Sequence, residues 1–248
     1  MNNYKFHVKY DGTKYNGWQR LTDNVEKTIQ GKIERVISRV LEEEIQIIGS
    51  GRTDAGVHAM MQVFNFKTAK NLDTTFLDSL NRYLPEDIRV TCCDKVDDRF
   101  HARHTCINKV YLYKIDNSKY GDPFMRKYSY FVDTPLDFEL MKEGAKIFIG
   151  EHDFISFSKN SGKKKSTVKS IKDIRLTKNS DGMIDIYFEA DGFLYNMVRM
   201  ISGSLINLGL KKTSLEEIKD LLSARTRENY RFVVPPQGLY LYRVDYKN

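Results

Sequence analysis

The sequence has few cysteines and no long apolar run, and both features limit what the protein can be. Its three cysteines, Cys92, Cys93 and Cys106, are an odd number without a Cys-x-x-Cys pair, which argues against a disulfide framework and a zinc site. The five histidines are scattered and form no paired motif, so no metal site is predicted. No stretch approaches 18 consecutive apolar residues, and residues 1–10 lack the apolar block of a signal peptide. We therefore expect a soluble cytoplasmic protein without a membrane segment.

The composition is that of a folded chain with a basic balance. Of the 248 residues, 41% are hydrophobic and 12% aromatic, enough for a sizeable core. Lysine and arginine number 40 against 33 acidic residues, a formal charge of +7, and the excess is concentrated in residues 108–248, which have 24 basic and 18 acidic side chains. A basic balance favours a polyanionic partner such as nucleic acid, although a pI near 9 is also common among soluble proteins.

Hydrophobic periodicity indicates an α+β protein made of two similar halves. In the first half it predicts strands at 4–10, 45–48, 62–67 and 88–96, a helix at 28–43 that begins at Thr28 or earlier at Asp23, and a helix from about 76 to Pro85. In the second half it predicts strands at 109–116, 171–177, 184–190 and 239–246 and helices at 138–148, 193–210 and 215–222. This order suggests two ferredoxin-like (RRM-like) βαββαβ halves with mostly antiparallel sheets. We place them at 1–105 and 106–248, with an inter-domain cleft as the expected ligand site.

The densest local signal is a glycine-rich loop, GSGRTDAGVHA, at residues 49–59. It is neither a dinucleotide-binding motif nor a P-loop, because the glycine spacing differs and no Gly-Lys-Ser/Thr follows. The loop places Asp54 close to Arg52, and a neighbouring guanidinium favours the ionised carboxylate. An ionised aspartate on a rigid loop can act at a glycosidic carbon, but no second carboxylate that could serve as an acid is evident. Alternatively, Asp54 only caps the turn and pairs with Arg52.

Three further features have both a structural and a functional interpretation. Tyr111 and Tyr113 could be sheet residues or a platform on which a nucleobase stacks. Arg199 could lie on the solvent side of its helix, or it could point into the cleft and contact Asp54 or a phosphate. The lysine-rich segment 158–170 is compatible with both a solvated loop and a phosphate-binding arm. Its candidate RNA-binding residues are Lys163, Lys164, Lys165 and Lys169.

Several separate motifs resemble those of the TruA family of tRNA pseudouridine synthases. The most specific is GRTDAGVHA at 51–59. Supporting motifs are YDG at 10–12, GWQR at 17–20, LPEDI at 84–88, FHAR at 100–103, DFISF at 153–157, FLYNMVR at 193–199 and GLYL at 238–241. Because they occur in the same order over nearly the whole chain, the resemblance favours a catalytic role for Asp54 over turn capping.

The resemblance implies the pseudouridine synthase fold, with a catalytic cleft between the two halves. It also implies a homodimer without metal or small-molecule cofactor that converts uridine to pseudouridine at positions 38, 39 and 40 of the tRNA anticodon stem-loop. By position, Asp54 would be the nucleophile or base, and Arg52 would occupy the space of the flipped uridine or guide its extrusion. Tyr111 and Leu239 would pack against the target base, and Arg199 would pair with Asp54. The alternatives are the same chemistry on ribosomal RNA and a non-catalytic RNA-binding protein.

Overall fold

The protein has a mixed α+β fold, as expected from the sequence, with mostly antiparallel strand pairing. The computed structural model describes residues 1–159, 166–224 and 232–247. The strands are β1 (Asn2–Tyr10), β2 (Ile48–Gly49), β3 (His58–Thr68), β4 (Ile88–Val96), β5 (Cys106–Asp116), β6 (Tyr130–Phe131), β7 (Gly150–Asp153), β8 (Val168–Lys178), β9 (Met183–Ala190) and β10 (Leu239–Tyr246). The helices are α1 (Ile29–Leu41), α2 (Thr74–Tyr83), α3 (Phe138–Ala145), α4 (Met197–Gly209) and α5 (Leu215–Ala224).

The chain divides into two compact units. The N-terminal unit contains Met1–Ile107 together with Tyr240–Asn248, and the C-terminal unit contains Asn108–Leu239. The last strand is therefore grouped with the N-terminal unit, because Tyr240 and Leu241 pair in parallel with His58 and Ala59 of β3. The division into domains at 1–105 and 106–248 remains a prediction from the sequence.

The N-terminal unit has the element order β-α-β-β-α-β that the sequence predicts. Strand β1 pairs antiparallel with both β3 and β4, and β2 pairs antiparallel with β3. The strand order β4-β1-β3-β2 is the split βαβ arrangement of ferredoxin-like folds. Because side chains alternate along β1, Tyr4, Phe6, Val8 and Tyr10 share one face and are all buried.

Helix α1 covers this core with one apolar face and begins at a defined cap. Ile29, Ile33 and Ile37 recur at helical spacing and are fully buried. The hydroxyl of Thr28 accepts a hydrogen bond from the backbone N–H of Gly31, which satisfies one of the free donors in the first turn. Of the two starts that the sequence allowed for this helix, the structure has the one at Thr28, and residues Val25–Lys27 form a separate 3-10 turn.

In the C-terminal unit, four strands pair antiparallel in the order β5-β9-β8-β7. The short strand β6 pairs in parallel with the end of β5, where Ile115 and Asp116 face Tyr130 and Phe131. Helix α4 is buried along most of its length, including Met200, Ile201 and Leu205. None of the helices among the described residues has the length and apolar character needed to span a bilayer.

Some elements differ from the sequence-based expectation. Helix α4 begins at Met197 and not at residue 193, because Asn196 has a left-handed backbone conformation (φ 62°) that no helix interior can contain. Strand β2 is limited to Ile48–Gly49, three residues later than the predicted start. Strands β6 and β7 were not predicted, since they are very short and β7 is largely polar.

Candidate active site

Asp54 lies in the loop that connects β2 to β3 in the N-terminal unit. Its side chain is partly exposed, whereas Thr53 before it and Val57 after it are buried and Arg52 is exposed. The carbonyl of Asp54 accepts a hydrogen bond from the N–H of Val57 (3.2 Å). Gly56 has a φ of 76°, a conformation that side chains rarely adopt. The tight turn therefore fixes the backbone that carries the Asp54 side chain.

A buried glutamine holds the first part of this loop. The amide nitrogen of Gln62 donates to the carbonyl of Gly51 (3.0 Å), and its oxygen accepts from the Ser50 hydroxyl (2.5 Å). The N–H of Ser50 also donates to the carbonyl of Val63 (2.7 Å). Ser50 and Gln62 have no solvent exposure, so these hydrogen bonds compete little with water.

The residue before Asp54 is held by the segment that follows β1. The Tyr10 hydroxyl is 2.8 Å from the Thr53 hydroxyl, and the carbonyl of Thr53 accepts from the N–H of Trp18 (3.0 Å). Gly17 (φ 96°) runs so close to the loop that a Cβ atom there would lie 2.5 Å from the Thr53 oxygen. Segment 10–18, which includes the YDG motif and the first half of GWQR, thus acts as a rigid support for the Asp54 loop.

His58 anchors the end of the loop where β3 begins. Its Nδ1 lies 3.1 Å from the N–H of Gly12 and 3.1 Å from a carboxylate oxygen of Asp11. Its ring stacks on the ring of Tyr240, with 4.8 Å between the centroids. Because His58 is buried, its contacts with Gly12 and Asp11 fix the start of β3 with respect to segment 10–18.

The C-terminal unit holds the aromatic candidates on β5. Tyr111 is buried, and the Phe193 ring meets it edge-on at 5.1 Å. Tyr113 has no exposed surface, and its hydroxyl donates to the carbonyl of Pro235 (2.9 Å). Burial raises the pKa of Tyr113, although the nearby Arg199 guanidinium opposes this shift. Tyr113 is therefore a neutral structural residue of the unit.

Arg199 lies in the first turn of α4, where backbone and side-chain acceptors hold its guanidinium. Its Nε donates to the carbonyl of Val234 (2.7 Å), and Nη1 donates to the side-chain oxygen of Asn196 (3.2 Å). Arg199 is partly exposed, whereas its neighbours Val198 and Met200 are buried. The left-handed conformation of Asn196 places its amide at the N-terminus of α4, within reach of this arginine.

Leu239 follows a 3-10 turn that packs on β5. It is buried, and a Cβ atom on the preceding Gly238 would lie 2.8 Å from the Lys114 carbonyl and 2.9 Å from the Tyr113 ring. The C-terminal unit therefore brings the chain around Tyr113, Arg199 and Leu239 together at one place. Lys169 lies in β8, opposite His152 of β7, while Lys163, Lys164 and Lys165 lie outside the described residues.

Together these contacts define what each unit can contribute chemically. The N-terminal unit presents one carboxylate on a fixed loop, with a cationic side chain two residues before it. The C-terminal unit contains the buried Tyr111 and Tyr113 on β5 and the oriented guanidinium of Arg199. In the described ranges, no group of three or more histidine, cysteine, aspartate or glutamate side chains could hold a metal ion.

Sequence reasoning missed the residues that position these candidates. Gln62 belongs to a strand and has no local pattern that indicates a role in the loop, and Tyr10 was noted only as part of the YDG motif. Asn196 and Phe193 are part of the FLYNMVR motif, but only the fold brings them to Arg199 and Tyr111. The positive φ values of Gly17 and Asn196 are known only from the structure, because residue type alone does not fix the backbone conformation.

Comparison with known proteins gives full-length matches. A family model described as tRNA pseudouridine synthase matches residues 7–104 and 145–247. The chain is 46% identical over 247 residues to tRNA pseudouridine synthase A 2 of a Bacillus cereus strain, covering 99% of this chain and 100% of that protein. It is 48% identical over 242 residues to tRNA pseudouridine synthase A of Bacillus sp. (strain KSM-64), covering 97% and 98%. For the enzyme of the same name from Thermoanaerobacter sp. (strain X514), the identity is 43% over 247 residues, covering 99% and 100%.

Proposed function

The chain belongs to the tRNA pseudouridine synthase family and isomerises uridine to pseudouridine in tRNA, and we propose that Asp54 is its catalytic carboxylate. The observation that carries this proposal is the rigid loop around Asp54. Buried hydrogen bonds hold the residues before it, and the backbone turn closes after it. A carboxylate on such a loop needs little reorganisation to reach a reacting atom.

The proposed reaction moves one bond on the target nucleotide. The uridine first leaves the RNA stack, which costs a few kcal/mol and less in a loop or at a stem end. Asp54 then adds to the ribose C1′ or removes the C2′ proton, and either step leads to cleavage of the N1–C1′ bond. The freed uracil rotates, and its C5 forms a bond to C1′. In the first path this displaces the Asp54 carboxylate from C1′, and in the second path C2′ regains its proton from Asp54. The uracil loses its C5 proton to solvent and gains a proton at N1, so the product is an isomer of the substrate.

Other residues are assigned supporting roles on the basis of the family motifs. We propose that Tyr111 and Leu239 pack against the target base, that Arg52 guides its extrusion and that Arg199 keeps Asp54 ionised. A dry pocket is required because water would otherwise capture the sugar and release the base. We further propose that Lys169 and the lysines at 163–165 contact phosphates. In this proposal the enzyme acts as a cytoplasmic homodimer, without a cofactor, on the anticodon stem-loop.

The test is the loss of product without loss of RNA binding. Asp54→Asn keeps the shape of the side chain and removes the carboxylate, and Asp54→Ala removes both. We expect each variant to bind an unmodified tRNA transcript with a Kd within about twofold of the parent, since phosphate contacts dominate affinity. We expect neither to release tritium from tRNA that contains 5-tritiated uridine.

The matched control is Asp181→Asn, which changes an exposed aspartate in the turn between β8 and β9. It should retain full tritium release. Release by either Asp54 variant would remove Asp54 from its proposed role. If the unaltered protein bound tRNA but released no tritium, it would be a non-catalytic RNA-binding protein, and release only from ribosomal RNA would reassign the substrate.

A further inference from the structure

The loop between β5 and β6, residues 117–129, exposes two aromatic side chains almost completely. Tyr120 is 82% exposed and Phe124 is 83% exposed. In the part of the chain that the structure describes, the next most exposed aromatic side chain is Tyr83, at 52%. Single exposed apolar residues are common on proteins, but two nearly bare rings four residues apart in one loop need a reason.

The loop is held firmly at its start. Asp116 is buried, and its carboxylate accepts hydrogen bonds from the Ser118 hydroxyl (2.6 Å), the Ser118 N–H (3.0 Å) and the Asp122 N–H (2.6 Å). The amide nitrogen of Asn117 donates to the carbonyls of Val132 (2.8 Å) and Thr134 (2.9 Å). The segment therefore has a defined conformation, and the exposed rings do not result from an unstructured loop.

The tip of the loop is also fixed by local hydrogen bonds. The Asp122 carboxylate accepts from the N–H of Phe124 (2.8 Å), and the carbonyl of Met125 accepts from the N–H groups of Tyr128 (2.8 Å) and Ser129 (2.9 Å). Pro123 restricts the backbone immediately before Phe124. Phe124 consequently projects from a rigid turn with almost its whole ring in solvent.

The loop with the two rings also contains cationic side chains. The ammonium group of Lys119 lies 5.0 Å from the centroid of the Tyr120 ring, and the guanidinium of Arg126 bonds to the carbonyl of Pro123. The loop contains three basic residues, Lys119, Arg126 and Lys127, and one acidic residue, Asp122, whose carboxylate is used inside the turn. Exposed aromatics among cations are typical of surfaces that stack unpaired bases and contact phosphates.

We propose that this loop, the Tyr120–Phe124 surface, is a second RNA contact at which unpaired nucleotides of the substrate stack on the two rings while Lys119 and Arg126 contact their phosphates. The proposal rests on the proposed function, because it assumes that the partner is tRNA. The loop begins six residues after Tyr111 along the same unit, or about 20 Å at the rise of a strand. It would therefore bind a part of the RNA several nucleotides away from the target uridine and add affinity there.

A second copy of this chain fits the surface less well than RNA does. In a two-fold symmetric contact the same patch meets itself, so the three cations of one loop would face the three of the other. Like charges that are brought together across an interface are unfavourable. A polyanion is complementary to the same surface.

The test compares tRNA affinity between variants of the full chain. We expect Phe124→Ala and Tyr120→Ala each to raise the Kd for an unmodified tRNA transcript about tenfold, measured by fluorescence anisotropy. Phe124→Leu should bind the transcript nearly as weakly as Phe124→Ala, because leucine keeps the apolar bulk but has no π-face. The matched control is Tyr83→Ala in the N-terminal unit, a half-exposed tyrosine with the Arg39 guanidinium 5.2 Å from its ring, and we expect its Kd to stay within about twofold.

Salt dependence separates the two parts of the contact. Replacing a phosphate-binding cation reduces the magnitude of the slope by about 0.7 to 0.9 when the logarithm of the association constant is plotted against the logarithm of the salt concentration. Arg126→Gln should show this change, and Phe124→Ala should lower affinity without changing the slope. Thermal unfolding should be nearly unaltered for all the variants, because the replaced side chains are exposed.

Several results would overturn the proposal. They are an unchanged Kd for both alanine variants, an equal effect of Tyr83→Ala, and full affinity for Phe124→Leu. A change of oligomeric state without a change of tRNA affinity would assign the surface to a second copy. Tritium release from uridine-labelled tRNA by the unaltered protein separates the two proposals: if release occurs and the variants bind normally, only the second contact fails. If tRNA binds through the loop but no release occurs, only the isomerase function fails.

Discussion

At the scale of single residues, very little space surrounds the Asp54 loop. Gly17 passes so close to Thr53 and Asp54 that a Cβ atom would lie 2.5 Å from one backbone oxygen and 3.0 Å from a backbone carbon. These are backbone atoms, which cannot move away as a flexible side chain could. Any residue larger than glycine at position 17 must therefore displace the loop that carries the carboxylate.

Gly17→Ala should lower both stability and activity. The side chain would be strained at a φ of 96° and would clash with the loop, at a cost of about 1–3 kcal/mol in the free energy of unfolding. Displacement of the carboxylate by an ångström would lower kcat/KM by about a hundredfold. Urea unfolding and the tritium-release assay measure the two effects separately.

Gly192→Ala is the matched control for this change, since a Cβ atom there has no neighbour within 4 Å. It should alter neither stability nor activity by a measurable amount. If Gly17→Ala retained full activity at a temperature where it is folded, the loop would not be the rigid support that the account requires.

The sequence contains the chemistry of the site but only part of its geometry. The glycine spacing around Asp54 predicted a tight loop, because positive φ is easy for glycine, and Gly56 adopts it. The partners that hold the loop, Gln62 and Tyr10, come from strands and are brought there by the fold. Long-range hydrogen bonds of this kind leave no periodic signal in a sequence.

At the scale of elements, the start of α1 is positioned by one threonine. Thr28 is fully buried, and its hydroxyl accepts from Gly31 N–H (3.3 Å) and donates to the carbonyl of Val25 (2.8 Å). The N–H groups of the first two helical residues bond to the carbonyls of Gly17 and Trp18. The helix terminus is therefore linked directly to the segment that supports the Asp54 loop.

Thr28→Ala should destabilise the protein by about 1 kcal/mol, the usual effect of losing an N-cap. Thr28→Ser keeps the hydroxyl and should recover most of the loss, apart from the small contribution of the buried methyl group. Urea unfolding gives both values. Equal stability of the alanine and serine variants would show that the hydroxyl does not act as the cap.

Element boundaries were predictable where side chains alternate or recur regularly. Strands β4 and β10 have the bounds that the sequence predicted. The predicted start of α4 was wrong, because Phe193 and Leu194 before the helix are as apolar as the helix itself. Only the left-handed conformation of Asn196 separates these residues from α4. The parallel pairing of β10 with β3 could not be inferred, because periodicity says nothing about which strands are neighbours.

At the scale of the whole molecule, buried tyrosines make stability sensitive to alkaline pH. Burial raises the pKa of Tyr10, and hydrogen bonds with Thr53 and Gln62 offset only part of the shift. Burial and the Asp87 carboxylate raise the pKa of Tyr15, and burial raises that of Tyr246. The folded state thus holds these protons at a pH where the unfolded chain releases them.

These tyrosines therefore add no pH dependence to the free energy of unfolding below about pH 10. Above the pKa of tyrosine in the unfolded chain, we expect the free energy of unfolding to fall as the pH rises. Each buried tyrosine contributes a slope of about 1.4 kcal/mol per pH unit. Tyr10→Phe should lower the free energy of unfolding by about 1 kcal/mol at neutral pH, because one hydrogen bond is lost. At alkaline pH its free energy of unfolding should fall less steeply, because one titrating tyrosine is missing. Urea unfolding between pH 8 and about 11 measures the slope, and an identical slope in both proteins would contradict the assignment.

The central claim, that Asp54 performs the isomerisation in tRNA, is tested most directly by mapping pseudouridine in cellular RNA. Cells whose own copy is replaced by the Asp54→Asn gene are compared with cells that have the unaltered gene at equal protein level. The account predicts pseudouridine in the tRNA anticodon stem-loop with the unaltered gene and its complete absence with Asp54→Asn. Persistence of these modifications in the variant cells would contradict it.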